Sequence, residues 1–156
     1  MVPPRRPAGD GLRPRAHPRR RPRAPRVAPA RALRGGLRLI PDAVRDGILA
    51  FNERRYFDAH EAWEEHWGLG APAERSLMLG LIKAAVALHH LERGNVRGGV
   101  RELEMGLPHL VENAGHWPWL DVPALVADLE SVLAQARYWG DAFAEHVEWP
   151  VLGVRA

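Results

Sequence analysis

The segment Tyr56–Trp67, with the sequence YFDAHEAWEEHW, carries the side chains of this chain that are best suited to chemistry. Residues four and seven positions apart share one face of an α-helix, so a helix here stacks His60, Glu64 and Trp67. An imidazole and a carboxylate one turn apart are able to ligate one divalent ion. The same pair is able to form a hydrogen bond that fixes the histidine tautomer. This face, with Glu61 on the adjacent stripe, is the predicted functional site.

The segment differs from the zinc protease signature, which places a second histidine four residues after the first. Glu64 occupies that position here, and His66 is out of phase. The sequence therefore argues against a metalloprotease. The chain has no cysteine, no glycine-rich phosphate loop and no serine in a nucleophile motif, so it supports no reaction class and leaves enzymatic activity open.

A later helix supplies candidate partners for this face. Lys83, the only lysine of the chain, and His90 are seven residues apart and share a helix face. In one interpretation the lysine lies at the surface with its ammonium group in water. In the other, Lys83 and His90 face the His60–Glu64 stripe across the helix pair, and a metal ion or a buried ion-pair network lies between them. The candidate ligand-binding residues are His60, Glu61, Glu64, Trp67, Lys83 and His90, and the candidate metal ligands are His60 and Glu64.

The elements that must position these residues are helices, because the apolar spacing after Ile40 is helical and nothing alternates as a strand does. The pattern predicts helices over about 41–52, 57–67, 73–93 and 96–111, and a fifth one after Asp121. Short loops favour antiparallel neighbours. The expected fold is all-α, a small antiparallel bundle of about five helices.

Single residues mark the predicted ends and contacts of these helices. Asp58 and Asp121 are suitable N-caps. Pro108 is expected to kink or end the fourth helix, because proline lacks a backbone N–H and clashes with the preceding turn. Gly98 and Gly99 are unfavourable inside a helix, so we expect that helix to cross another one closely there. His109, His116 and His146 belong to no predicted cluster.

Charge divides the chain into two predicted parts. Residues 1–38 hold twelve arginines, eight prolines and one acidic residue, whereas residues 39–156 hold ten basic and eighteen acidic residues. We expect 1–38 to be a disordered basic tail and 39–156 to be one helical domain. The tail has three interpretations: an arm for nucleic acid or anionic lipid, a transit peptide, or upstream sequence from a start codon assigned too early.

The expected partners and location follow from the same composition. Nucleic acid is expected only through the basic tail, and a small ligand or a protein partner is expected for the helical domain. The chain has neither a long apolar run nor a signal-peptide pattern, which favours a cytoplasmic protein without a membrane partner.

Two stretches resemble a known family. FNERRYFDAHEAWEEHW, residues 51–67, and GLIKAAVALHHLERGN, residues 80–95, followed by Gly98, resemble the prokaryotic domain of unknown function 309. The resemblance spans Phe51 to about Leu110. It implies an all-helical fold and a His-x-x-x-Glu-x-x-Trp motif that has been suggested to bind metal, without an established activity. The motif residues are His60, Glu64 and Trp67, and the second segment matches at Gly80-Leu81-Ile82, His90 and Gly94-Asn95.

One position departs from that pattern, because the family leads us to expect glutamine where this chain has Lys83. Two functions therefore stay open. The first is binding of a divalent metal ion or a small ligand at His60 and Glu64. The second is a non-catalytic structural or interaction module in which the histidine, glutamate and lysine side chains form a buried polar network.

Overall fold

The structure, a computed structural model, describes residues 40–155. Five α-helices and one 3-10 helix follow one another along this part of the chain, and its only β-type contact is an isolated bridge between Leu120 and Val154. The helices are α1 Asp42–Asn52, α2 Tyr56–Trp67, α3 Pro72–Glu92, α4 Val96–Glu112, α5 Val122–Trp139 and the 3-10 helix Gly140–Glu145. The prediction of an all-α fold with about five helices is confirmed. The predicted tail, residues 1–38, lies outside the described residues, and the antiparallel arrangement and the domain division stay predictions.

Helices α1 and α2 pack around Trp63. The indole is fully buried, and its Nε1–H donates to the carbonyl oxygen of Val44 at 3.2 Å. Gly47 makes room for the ring, because a Cβ atom there would lie 2.1 Å from Nε1 of Trp63. Since α2 is fixed through this inner face, its polar side chains are left along the flank and the outer surface.

Helix α3 packs against both α2 and α4. The contact with α4 is close at two glycines. A Cβ atom at Gly99 would lie 2.4 Å from Cγ of Leu91, and one at Gly106 would lie 2.8 Å from Cβ of Lys83. The close crossing predicted for Gly99 is therefore confirmed, and the absence of a side chain is what permits it.

The predicted N-caps have different outcomes. Asp121 caps α5, since its Oδ1 accepts a hydrogen bond from the N–H of Ala124 at 3.2 Å. The prediction for Asp58 is wrong. Helix α2 already begins at Tyr56, so Asp58 lies in its first turn, where its carboxylate is 2.8 Å from Nη1 of Arg55. An acidic group there still interacts favourably with the helix dipole.

Helix α4 begins at a side-chain cap and continues past its proline. Oδ1 of Asn95 accepts the N–H of Gly98 at 3.0 Å, so Gly98 belongs to the cap rather than to the crossing. Pro108 lies inside the helix, which ends only at Glu112. The predicted early end at Pro108 is therefore wrong.

The segment after the 3-10 helix returns to the end of α1. Nδ2 of Asn52 donates to the carbonyl oxygen of Leu152 at 3.0 Å, and the N–H of Leu152 donates to Oδ1 of Asn52 at 2.7 Å. The guanidinium carbon of Arg54 lies 4.5 Å from the centre of the Trp149 ring. These contacts hold the C-terminal residues against the junction between α1 and α2.

Candidate functional site

His60 is oriented at both of its ring nitrogens. Its Nδ1 lies 3.2 Å from the carbonyl oxygen of Phe57, and its Nε2 lies 3.1 Å from Oε1 of Glu64. A carbonyl oxygen only accepts hydrogen bonds, so the first contact assigns a proton to Nδ1. Nε2 then faces the carboxylate either with a second proton or with its lone pair. The His60 side chain is 19% exposed and that of Glu64 is 56% exposed, so the pair lies at the surface.

An exposed aromatic ring joins His60 to α3. Phe57 is 50% exposed, and its ring centre lies 5.3 Å from that of His60 and 5.6 Å from that of His89. His89, which the sequence interpretation left aside, is therefore the α3 histidine beside the α2 aromatic ring. The sequence did hold a signal for His89. It shares a helix face with the apolar residues Ile82 and Ala85, and both of these are buried in the structure.

Lys83 and His90 make their contacts on the side of α4. Nζ of Lys83 lies 3.1 Å from Oε2 of Glu102, and each side chain is 21% exposed. Nδ2 of Asn95 lies 3.3 Å from Nδ1 of His90. The structure thus pairs these two candidates with α4 and its cap, and it pairs His60 with Glu64 inside α2.

The remaining two candidates are exposed. Nε1 of Trp67 donates to the carbonyl oxygen of Arg75 at 3.1 Å, which fixes the indole against the start of α3. Glu61 is exposed and has no hydrogen-bond or ion-pair partner among residues 40–155. The same is true of Glu65, one turn further along α2.

A second polar cluster lies where α2 ends and α3 begins. Oε1 of Glu74 lies 2.8 Å from Nε2 of His66, and its Oε2 lies 4.0 Å from Nε2 of His116, in the loop after α4. Sequence reasoning missed this cluster because its members come from three separate elements. No local spacing connects them.

A hydrogen-bond chain next to Glu74 links α3 to the end of α4. Nδ2 of Asn113 donates to Oγ of Ser76 at 2.9 Å, and the Ser76 Oγ lies 3.0 Å from Nδ1 of His109. Because an amide nitrogen only donates, the serine hydroxyl is free to donate to the imidazole. The arrangement joins α3 to the end of α4 through side-chain contacts.

Residues 40–155 lack the geometry of a metal site with three protein ligands. Among residues 40–155, no group of three or more histidine, aspartate or glutamate side chains is arranged to hold a metal ion. An ion at His60 and Glu64 would therefore take only these two ligands from the described part of the chain.

Among residues 40–155, no helix is long and apolar enough to cross a membrane.

Comparison with known proteins places this site in a family. Residues 44–101 match the sequence model of the domain of unknown function DUF309. This segment is therefore similar to the DUF309 family. The resemblance that the sequence motifs indicated is thereby confirmed.

The other comparisons are sparse. An uncharacterised protein of Aquifex aeolicus (strain VF5) is 29% identical over 99 residues, which cover 63% of this chain and 30% of that protein. The match thus spans less than a third of the relative's length. No solved structure matches the chain.

The DUF309 segment contains all of the first polar cluster and only part of the second. His60, Glu64 and His89 all lie within residues 44–101. The second cluster is divided, because His66 and Glu74 lie within the segment and His116 lies beyond it. The pair of His60 and Glu64, together with the Phe57 ring, is therefore the candidate site that the matched segment contains whole.

Proposed function

We propose that this DUF309 protein is a non-catalytic binding domain, and that its ligand is a divalent transition-metal ion held by Nε2 of His60 and the carboxylate of Glu64. One observation carries the proposal. The backbone carbonyl of Phe57 engages Nδ1 of His60, while Nε2 lies 3.1 Å from Oε1 of Glu64. Histidines that ligate metals usually donate their other ring N–H to a carbonyl or carboxylate group, which fixes the tautomer.

The distance between the two candidate ligand atoms also suits one ion. Metal–ligand bonds of about 2.0–2.2 Å at a tetrahedral angle separate two ligand atoms by roughly 3.3–3.6 Å. The observed 3.1 Å lies just below that range, so small rotations of two partly exposed side chains suffice. Imidazole ligands suit zinc, copper, iron and nickel, and zinc also binds carboxylate oxygens.

The proposal is restricted to binding because the site offers two ligands and no activated nucleophile. The remaining coordination positions of the ion would be filled by water or by a ligand from outside the chain. Among residues 40–155, the ammonium group of Lys83 pairs with Glu102 and leaves His60 and Glu64 as the two candidate ligands.

The second candidate function is an interaction module. The half-exposed ring of Phe57 favours it, because exposed aromatic side chains often anchor protein interfaces. A buried polar network, as first considered for this alternative, gains no support. The core of the described residues contains no charged side chain, and Lys83 and His90 pair elsewhere.

Isothermal titration calorimetry with zinc, nickel and manganese tests the proposal. We expect zinc or nickel to bind the wild type, and we expect His60→Ala and Glu64→Gln each to weaken binding at least tenfold. Glu65→Gln is the matched control, because this carboxylate lies on the same helix without a partner among residues 40–155. His90→Gln tests the α3 candidate and should leave the affinity unchanged.

Two results would contradict the metal proposal. The first is a wild type that binds none of the three ions. The second is an affinity that is the same in His60→Ala, which would place the ion elsewhere. Either result would leave the interaction module as the better account of the Phe57 surface.

A further inference from the structure

The outer face of α2 combines an exposed ring with negative charge. Phe57, Glu61 and Glu65 follow one another at four-residue spacing and so line one face, with Phe57 half exposed at its start. We call these three residues the outer face of α2. The helix holds four acidic residues and neither lysine nor arginine.

The charge on this face is not neutralised by the rest of the described chain. The other two acidic residues of α2 are engaged, Asp58 with Arg55 and Glu64 with His60. Glu61 and Glu65 have no such partner among residues 40–155. An aromatic ring beside two unpaired carboxylates is a surface that suits a planar cation, because guanidinium groups stack on aromatic rings and pair with carboxylates.

The same chain contains a segment of that chemistry. Residues 1–38 hold twelve arginines and a single acidic residue, and residues 39–156 have an excess of eight negative charges. Residues 39–41 connect the segment to the start of α1 at Asp42, and α1 packs against α2. The charges of residues 1–38 and of the outer face of α2 are therefore complementary. The covalent connection gives the segment a high effective concentration at this face.

We propose that the arginine-rich segment 1–38 docks on the outer face of α2, with guanidinium groups stacked on Phe57 and paired with Glu61 and Glu65. Single exposed ion pairs are weak and are screened by salt. Docking therefore depends on several such contacts at once and on the covalent connection. The proposal goes beyond metal binding and does not depend on it, since it uses neither His60 nor Glu64.

Paramagnetic relaxation in the full-length protein tests this docking. The chain contains no cysteine, so an Ala24→Cys variant carries a single nitroxide label within the basic segment. We expect the label to broaden the amide signals of Glu61 and Glu65 at least threefold more than those of Glu130 on α5. About 1 M sodium chloride should abolish the difference, because it shortens the screening length to about 3 Å.

Two charge variants and a mixed sample complete the experiment. Glu61→Gln with Glu65→Gln should remove the broadening, whereas the matched pair Glu130→Gln with Glu145→Gln should keep it. Broadening that is uniform, salt-insensitive or unchanged in the first pair would overturn the proposal. A mixture of spin-labelled protein without ¹⁵N and unlabelled protein with ¹⁵N tests whether a second copy of the chain occupies this face. Broadening that arises only in that mixture would assign the face to a second copy and overturn docking within one chain.

Discussion

The Nε2 atom of His60 lies 3.1 Å from Oε1 of Glu64, while Nδ1 of the same ring lies 3.2 Å from the carbonyl oxygen of Phe57. Both ring nitrogens thus face atoms that accept hydrogen bonds. When the ring carries one proton, on Nδ1, there is no hydrogen between Nε2 of His60 and the carboxylate of Glu64. A cation is able to occupy the position between these two groups.

Replacing Lys83 should leave metal binding at His60 and Glu64 unchanged. Lys83→Met should leave the metal affinity within twofold of the wild type, because the ammonium group pairs with Glu102 on α4. The variant should lose about 1–3 kcal/mol of unfolding free energy, because it leaves the largely buried carboxylate of Glu102 without its partner. Chemical denaturation of Lys83→Met, Glu102→Gln and the double variant measures their coupling. A large change in metal affinity on removing Lys83 would instead support the arrangement across α2 and α3 predicted from the sequence.

Gly99→Ala should destabilise the protein although alanine is the better helix former. A Cβ atom at this position would lie 2.4 Å from Cγ of Leu91 and 3.0 Å from the carbonyl oxygen of Ala87. Overpacking of this kind costs about 1–3 kcal/mol, against a propensity gain of about 1 kcal/mol. We expect a net loss of up to about 2 kcal/mol in urea unfolding. Gly68→Ala is the control, since nothing lies within 4 Å of its added Cβ; equal stability of the two variants would contradict the close crossing.

The contacts of α3 show how far the sequence leads. Its apolar stripe and Gly94 are enough to predict the helix and its end, because both are local signals. The seven-residue spacing of Lys83 and His90 predicts a shared face, but it does not tell whether α2 or α4 lies opposite. The Cβ atom of Lys83 lies over Gly106 of α4, and that contact assigns the lysine to this neighbour.

The parts that sequence reasoning missed are held by contacts between distant residues. The residues after the 3-10 helix have no helical periodicity, and they are fixed by Asn52, a hundred positions before Leu152. Glu74 likewise joins His66 to His116 from three different elements. Pairings of this kind depend on the folded arrangement of the helices, so local spacing carries no signal for them.

Asn52→Ala should release the C-terminal segment. The variant loses two hydrogen bonds to Leu152, which amounts to about 2 kcal/mol. Hydrogen exchange of the Leu152 amide should become faster relative to amides of the buried core. Asn95→Ala, which removes the cap of α4 at a cost of about 1 kcal/mol, is the control and should leave this ratio unchanged. An unchanged Leu152 ratio in Asn52→Ala would show that other contacts hold the segment.

Tyr56 should make stability depend on alkaline pH. Burial of the side chain, and next the negative charge of Glu92, raise the pKa of its hydroxyl above the usual value of 10.0. The unfolded chain therefore releases this proton before the folded one does. The contribution is complete below pH 10 and is lost as the pH rises above it.

Tyr56→Phe should remove this dependence. The Tyr56 hydroxyl has no hydrogen-bond partner among residues 40–155, so the variant should change neutral-pH stability by less than about 1 kcal/mol. Urea unfolding between about pH 9 and pH 11 should show a shallower decline for this variant than for the wild type. Tyr138→Phe, at an exposed tyrosine, should keep the wild-type decline. Identical declines in all three proteins would show that Tyr56 titrates equally in the folded and unfolded states.

The central claim concerns one atom, Nε2 of His60, and ¹⁵N NMR of the histidine rings during a zinc titration observes it directly. We predict that the Nε2 signal of His60 shifts in proportion to the bound zinc while its Nδ1 keeps its proton, and that Glu64→Gln abolishes the shift. Ring signals of His66, His116 and His90 should stay in place. Zinc-dependent shifts at His66 and His116 without a change at His60 would move the site to Glu74 and contradict this account.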